Sequence, residues 1–271
     1  MASVASASAA SPTGIYSGFK YCPYTNSAVA NCLRSVSTSG SFKLGNASVP
    51  VSAPITFQGG FTVGPTFSTT FFPAVGADTL SKTPLDVPGG LLGLVNPGGF
   101  GGLLEQAFEN AIHSANGVTA TAELAGTPQF SYLAFLTANG PTVTLPIRVH
   151  LQNPFLGPDC YIGSSSNPIT LRLTVGTTTP PAGTAPITGS QGSISTDDNS
   201  TVLTADGVTL VDNAFSVPAA SNCGYLPLDK LLITGAVNLR EGLPSAAGNN
   251  SASLSGQTQV GVASAVAASV H

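Results

Sequence analysis

Side chains able to do chemistry are scarce in this chain, and Arg148 with His150 is the pair that spacing places side by side. Two residues apart in an alternating segment, they share one strand face. A guanidinium beside an imidazole there could receive an anion or a carboxylate, and a plainly solvated strand face is the competing reading. His113 ends a helical pattern, where interaction of the ring with a helix C-terminus accounts for it without catalysis. No Gly-x-Ser-x-Gly elbow occurs, and Gly163-Ser-Ser-Ser166 lacks the strand, turn and helix that would expose a nucleophile. A Ser-His-Asp hydrolase is therefore the third reading, kept only because triads assemble in space rather than in sequence. Asp197, Asp198, Asn199, Asp206, Asp212 and Asn213 offer oxygen ligands for calcium but do not match a twelve-residue EF-hand loop; they read as Asx turns between strands. The Gly89 to Gly102 stretch has no Lys-Ser/Thr and so is not a phosphate loop. No catalytic residue, metal site or cofactor is assigned.

Four cysteines stand at Cys22, Cys32, Cys160 and Cys223, an even number in a chain rich in Ser, Thr and Gly. They predict two disulfides and an oxidising compartment. Three connectivities are open. The simplest closes a local loop between Cys22 and Cys32 and leaves Cys160 with Cys223 as a long staple. Zinc is disfavoured because no Cys-x-x-Cys spacing exists and His113, His150 and His271 are remote from the cysteines in sequence.

The rest of the composition points the same way. Charged residues make 7% of the 271, with 8 basic and 12 acidic groups; an ordinary soluble domain carries roughly 25%. The net charge is −4 and no Lys or Arg cluster occurs, so a nucleic-acid footprint is missing. Every apolar stretch is interrupted short of the roughly 18 residues a transmembrane helix needs, which leaves a β-barrel pore untouched. Residues Met1 to Ala10 lack a basic n-region and an apolar h-region but have the small-residue texture found near signal-peptidase sites, so they read as a mature terminus with a start Met added. Asn46, Asn199 and Asn249 open Asn-x-Ser/Thr sites that matter only in a secreted eukaryotic context.

The elements that must position these groups are mostly strands. Val143, Leu145, Ile147, Val149 and Leu151 alternate with polar residues, as do Ile169, Leu171, Leu173 and Val175. A loop dense in turn formers, Asn153 to Ser166, joins them. Phe42 and Leu44, Val49 and Val51, and Ile55 and Phe57 suggest further strands, with Pro50 and Pro54 at edges or bulges. The segments Phe61–Phe72, Val118–Leu124, Gln129–Leu136, Val202–Val211 and Ala252–Val260 continue the pattern. Two helices interrupt it. One carries Leu103, Leu104, Ala107, Phe108, Ala111 and Ile112 at helical spacing; the other runs from Pro227 to about Arg240, with Leu228, Leu231, Leu232 and Val237 on one side. The proline-stiffened stretch 177–186 is a long loop or a domain linker.

Several segments resemble a family of secreted actinobacterial proteins with no established activity. They are Gly40-Ser-Phe-Lys-Leu-Gly-Asn46, Leu80-Ser-Lys-Thr-Pro84, Val87-Pro-Gly-Gly90, Asn153-Pro-Phe-Leu-Gly157, Cys160-Tyr-Ile-Gly-Ser164, Asn167-Pro-Ile169 and Gly242-Leu-Pro-Ser-Ala-Ala-Gly248. The resemblance implies secretion. The Cys160 and Cys223 neighbourhoods belong to it, which implies a structural disulfide.

The sequence thus predicts an all-β, mainly antiparallel fold, a β-sandwich or two abutting sheets with one or two short helices. Residues 1–15 form an Ala/Ser-rich arm and 16–271 one disulfide-stapled domain, with a subdivision near 177–186 as the alternative. The function expected is that of a non-enzymatic secreted or envelope-associated structural or adhesive protein. Its partners would be other copies of itself, as oligomer or polymer, or a cell-envelope polymer. Leu254 and Thr258, on one face of the last strand, are the candidate assembly residues because little charge blocks edge pairing there. An extracellular carrier for apolar or polymeric ligands is the runner-up.

Overall fold

The computed structural model describes residues 11–94 and 115–271. Fourteen strands are present among them. The first seven are β1 (Asn31–Leu44), β2 (Ala47–Pro50), β3 (Ile55–Val63), β4 (Thr69–Pro73), β5 (Pro84–Asp86), β6 (Thr119–Leu124) and β7 (Gln129–Phe130). The rest are β8 (Val143–Gln152), β9 (Tyr161–Ile162), β10 (Ile169–Leu173), β11 (Ser193–Thr196), β12 (Val202–Asp212), β13 (Ala220–Ser221) and β14 (Ser251–Val262). The helices are α1 (Gly90–Leu94), α2 (Tyr132–Thr137), α3 (Pro227–Glu241) and α4 (Ala263–Ala268), with a 3-10 turn at Gly14–Phe19.

All pairings are antiparallel and fall into two sheets. Sheet I runs β11-β12-β14-β1-β3-β4, with β2 also on β1; sheet II runs β13-β9-β8-β6-β5, with β10 and β7 also on β8. The period-two pattern of β8 is realised as buried and half-buried residues in turn, and β10 alternates buried and exposed. Their aliphatic faces meet Leu33, Phe57, Phe61, Leu210 and Leu254 of sheet I in one contiguous apolar cluster. The chain is therefore a β-sandwich, as its alternation predicts.

The stretch 177–186 does not divide two cores. It leaves β10 of sheet II and returns toward β11 of sheet I, closed on itself by the Thr177–Thr188 bridge, and both sheets share the same cluster. A smaller cluster on the outer face of sheet I gathers Phe19, Cys22, Cys32, Val202 and Val266. There the described part of the N-terminal arm meets the C-terminal tail: Pro12 bridges Val270, and the Thr13 N–H and hydroxyl both donate to Ser269 O. The arm's Met1–Ala10 and the helix expected over Leu103 to Ile112, with His113, lie outside the described residues.

Four expectations are corrected. Phe61–Phe72 is not one strand: it spans the end of β3, a turn over 64–68 and the start of β4. Gln129–Leu136 is not one strand: β7 ends at Phe130, and Ser131 caps α2 by accepting the Ala134 N–H at 3.2 Å. The helix at Pro227 exists, opened by proline and by Asp229, whose carboxylate accepts the backbone N–H groups of Tyr225 and Leu226. Its four apolar residues, however, do not share a side; Val237 is buried while Leu228, Leu231 and Leu232 are exposed. Finally, β14 is not an edge. It pairs with β1 on one side and β12 on the other, and Leu254 and Thr258 are buried in the core face. Gly256 between them admits no side chain, since a Cβ would sit 1.9 Å from the Val36 carbonyl oxygen.

Candidate functional site

Arg148 and His150 lie as expected on the outward face of β8, and cross-strand register supplies their partners. Glu123 of β6 stands opposite Arg148, and Tyr161 of β9 stands opposite His150. Arg148 Nε and Nη2 both donate to Glu123 Oε2, at 3.0 and 2.8 Å. The guanidinium also lies 4.3 Å from the Tyr161 ring centroid, and the His150 ring stacks on the same tyrosine at 4.4 Å. His150 Nε2 is 2.9 Å from Pro158 O, so that nitrogen is the donor, while Nδ1 faces Glu123 Oε1 at 3.8 Å. Each charged group thus has its counterpart inside the cluster. No hydroxyl among the described residues bonds either ring nitrogen.

Glu123 and Tyr161 were not singled out in sequence. Glu123 follows the outward alternation Thr119, Thr121, Glu123 and so was readable as a polar-face residue; Tyr161 sits in the turn-rich loop, where no period exists to read.

The carboxylates considered for calcium are separate and locally engaged. Asp197 accepts the N–H groups of Asn199, Thr201 and Val202 and the Thr201 hydroxyl, which forms the tight turn from β11 into β12. Those bonds, Val202 foremost, hold its carboxyl below the ordinary range. Asp206 accepts from Gln257 Nε2, and Asp212 from the N–H groups of Arg172 and Ala214.

The four cysteines form two disulfides, Cys22–Cys32 and Cys160–Cys223, the simplest of the three connectivities. The second ties the start of β9 to the loop before α3. Thr234 and Asn238 of α3 hydrogen-bond the backbone of Cys223 and Ala220, so the staple fixes where that helix lies.

Two exposed surfaces stand out among the described residues. The first is the outer edge of β11. Asp197 N donates to Val202 O, so by antiparallel alternation Ser195 and Ser193 bond β12 while the N–H and C=O of Ile194 and Thr196 point away from it. All four β11 residues are exposed and none is charged. The second is the outer face of α3, where Leu228, Leu231, Leu232 and Leu239 are 55–85% exposed, preceded by exposed Tyr225 and Leu226.

Recesses are less telling. The crevice between the sheets, lined by Phe42, Leu44, Leu85, Ala120, Ile147 and Leu171, holds about 50 Å³, well below the roughly 300 Å³ at which small-molecule pockets begin. A larger open recess of about 630 Å³ lies between β2, α1 and the end of α3, lined by Asn46, Ser48, Arg240 and Glu241 among others. Glu241 is buried there, and burial pushes its carboxyl up, partly offset by Arg240 beside it. No described helix is long and apolar enough to cross a membrane.

Comparison with protein-family models, curated proteins and solved structures gives no match for this chain.

Proposed function

We propose that this is a non-enzymatic structural or adhesive protein of the cell exterior, secreted or envelope-associated, which assembles with copies of itself. The carrying observation is the outer edge of β11: an exposed, uncharged strand whose Ile194 and Thr196 backbone groups have no partner among the described residues. Natural sheets ordinarily blunt such edges with Lys, Pro or a covering element. Two disulfides and a surface poor in charge suit an oxidising exterior, and the resemblance to secreted actinobacterial proteins supports the same placement.

Sedimentation velocity on the oxidised protein tests this reading. It should show growth beyond the monomer as concentration rises, and Ile194→Lys should reduce that growth while the denaturation midpoint stays unchanged. A monomer at every concentration and salt tested removes the assembly reading. The carrier of apolar or polymeric ligands then leads, with the 630 Å³ recess beside Glu241 as its site.

A further inference from the structure

We infer that the outer face of α3 is a second self-association surface, which binds α3 of another copy in antiparallel orientation about a two-fold axis near Gly235. The inference rests on the self-association reading and adds to it an interface distinct from β11. At about 100° per residue, Leu228, Leu231, Leu232, Gly235 and Leu239 fall in one stripe. Buried Val237 lies opposite that stripe, and Thr234 and Asn238, which hold the helix to the fold, run along one flank of it beside Leu231. The leucines therefore face outward for the whole length of the helix, a contiguous apolar face of a kind that marks interaction sites.

Self-pairing is favoured by how the stripe and its flanks are arranged. Gly235 is exposed and mid-helix, and a Cβ built on it meets nothing within 4 Å, so a second backbone can approach there. With the axis at Gly235, antiparallel packing sets Leu231 against Leu239 of the other copy, twice. Asp229 and Arg240 flank the stripe on the same side, one at each end of the helix, so the same packing brings Asp229 of each copy to within one residue of register with Arg240 of the other. A parallel pairing would instead place the Asp229 and Arg240 flanks of the two copies on opposite sides of the stripe, where neither charge meets its opposite. Lys230 lies toward the opposite side of the helix, away from the stripe. The face is thus self-complementary in shape, and its flanking Asp229 and Arg240, which within the protomer also bond the Tyr225 and Leu226 N–H groups and the Gly93 carbonyl, carry opposite charges to its two ends, as an isologous contact requires.

Two different isologous contacts on one protomer, β11 to β11 and α3 to α3, cannot close in a dimer. They alternate from copy to copy, which builds a closed dihedral ring where the two two-fold axes meet and an open polymer where they do not.

The experiment uses the full oxidised chain with single-surface variants. Leu231→Glu should block the α3 contact, weakening it at least about 30-fold, and Ile194→Lys should block the β11 contact. Each single variant should stop at dimers, and the double variant should remain monomeric, all with unchanged denaturation midpoints. Orientation is read separately by cysteine trapping: a mixture of Leu231→Cys and Leu239→Cys chains should cross-link as mixed dimers in preference to either homodimer. If Leu231→Glu leaves the assembly unchanged, the α3 contact is wrong while self-association stands. If the unaltered protein is monomeric, both fall. Homodimer cross-links in preference to mixed ones overturn the antiparallel arrangement. Intramolecular trapping of Leu231→Cys by Ala107→Cys in a monomer would assign the face to the chain's own 103–112 segment. Flotation of the monomer with phosphatidylcholine vesicles, lost in Leu231→Glu, would assign it to lipid. Either result overturns the inference.

Discussion

Ser35 and Thr258 face one another across β1 and β14, 223 residues apart in sequence, and share a buried hydroxyl hydrogen bond of 2.8 Å on the core side of sheet I. Each satisfies the other, so the apolar cluster accommodates two polar groups at little cost. Removing one hydroxyl leaves the other buried and unpaired. Thr258→Val alone should therefore destabilise by about 1–3 kcal/mol, whereas Ser35→Ala with Thr258→Val should recover most of that loss. Thr258→Lys should cost more, about 3–5 kcal/mol, because it buries a charge without a partner. Urea denaturation of the four proteins measures all of this. A Thr258→Lys chain with a normal midpoint and altered assembly would restore Thr258 to the surface.

That pair also marks where the sequence stops being informative. Alternation in Ala252–Val260 correctly identifies a strand, and it does not say which strands flank it. Thr258 looked like a surface residue because threonine alone does not announce a buried hydroxyl partner 223 residues away. The same holds for the polar cluster: Arg148 and His150 are readable from period two in β8, while Glu123 and Tyr161 join them only through register. In α3 the helix was legible from Pro227 and the leucines. Its burial was not, because a large exposed apolar face reverses the usual rule that the apolar side packs inward.

The Cys160–Cys223 bond closes a separation of 63 residues and Cys22–Cys32 one of 10. In the loop-entropy account these constrain the unfolded chain by about 4 and about 3 kcal/mol. Replacing Cys160 and Cys223 together by Ala should lower stability by the larger amount and free the loop that seats α3, so the variant should also lose the helix-dependent step of assembly. Denaturation curves and sedimentation read the two effects separately. Intact-mass analysis after alkylation without reductant should find no modified cysteine.

Two carboxylates give opposite pH signatures. Burial raises Glu241 above its ordinary 4.5, so the native state holds that proton more tightly than the unfolded chain does. Its contribution is fully present below 4.5 and is lost as pH rises through the folded value. Asp197 is lowered below 3.8 by the backbone donors of its turn, with Val202 first. Its contribution is present above 3.8 and is lost as pH falls through the folded value. Glu241→Gln should flatten the decline above 4.5, and Asp197→Asn should flatten the decline at the acid end. Urea midpoints across the range decide it; a Glu241→Gln profile parallel to the unaltered protein would show that this group does not set the slope.

His150 is the histidine that an enzyme reading would need, and its surroundings assign it a different task. With Nε2 donating to Pro158 O and its ring stacked on Tyr161, it holds the loop after β8 against sheet II. Both contacts are structural, and the Glu123 carboxylate beside it is already shared with Arg148. His150→Ala should therefore loosen that loop, visible as faster backbone amide exchange around Pro158 and Tyr161, with a stability loss of about 1 kcal/mol from the missing hydrogen bond and ring contact. Arg148→Ala should act on the same loop through Tyr161, and the two changes should be less than additive because they share that ring. Assembly measured by sedimentation should be unaffected in both variants. The decisive comparison is a panel of ester and glycan substrates: activity in the unaltered protein that disappears in His150→Ala and survives Arg148→Ala would make His150 a proton carrier and overturn the non-enzymatic assignment.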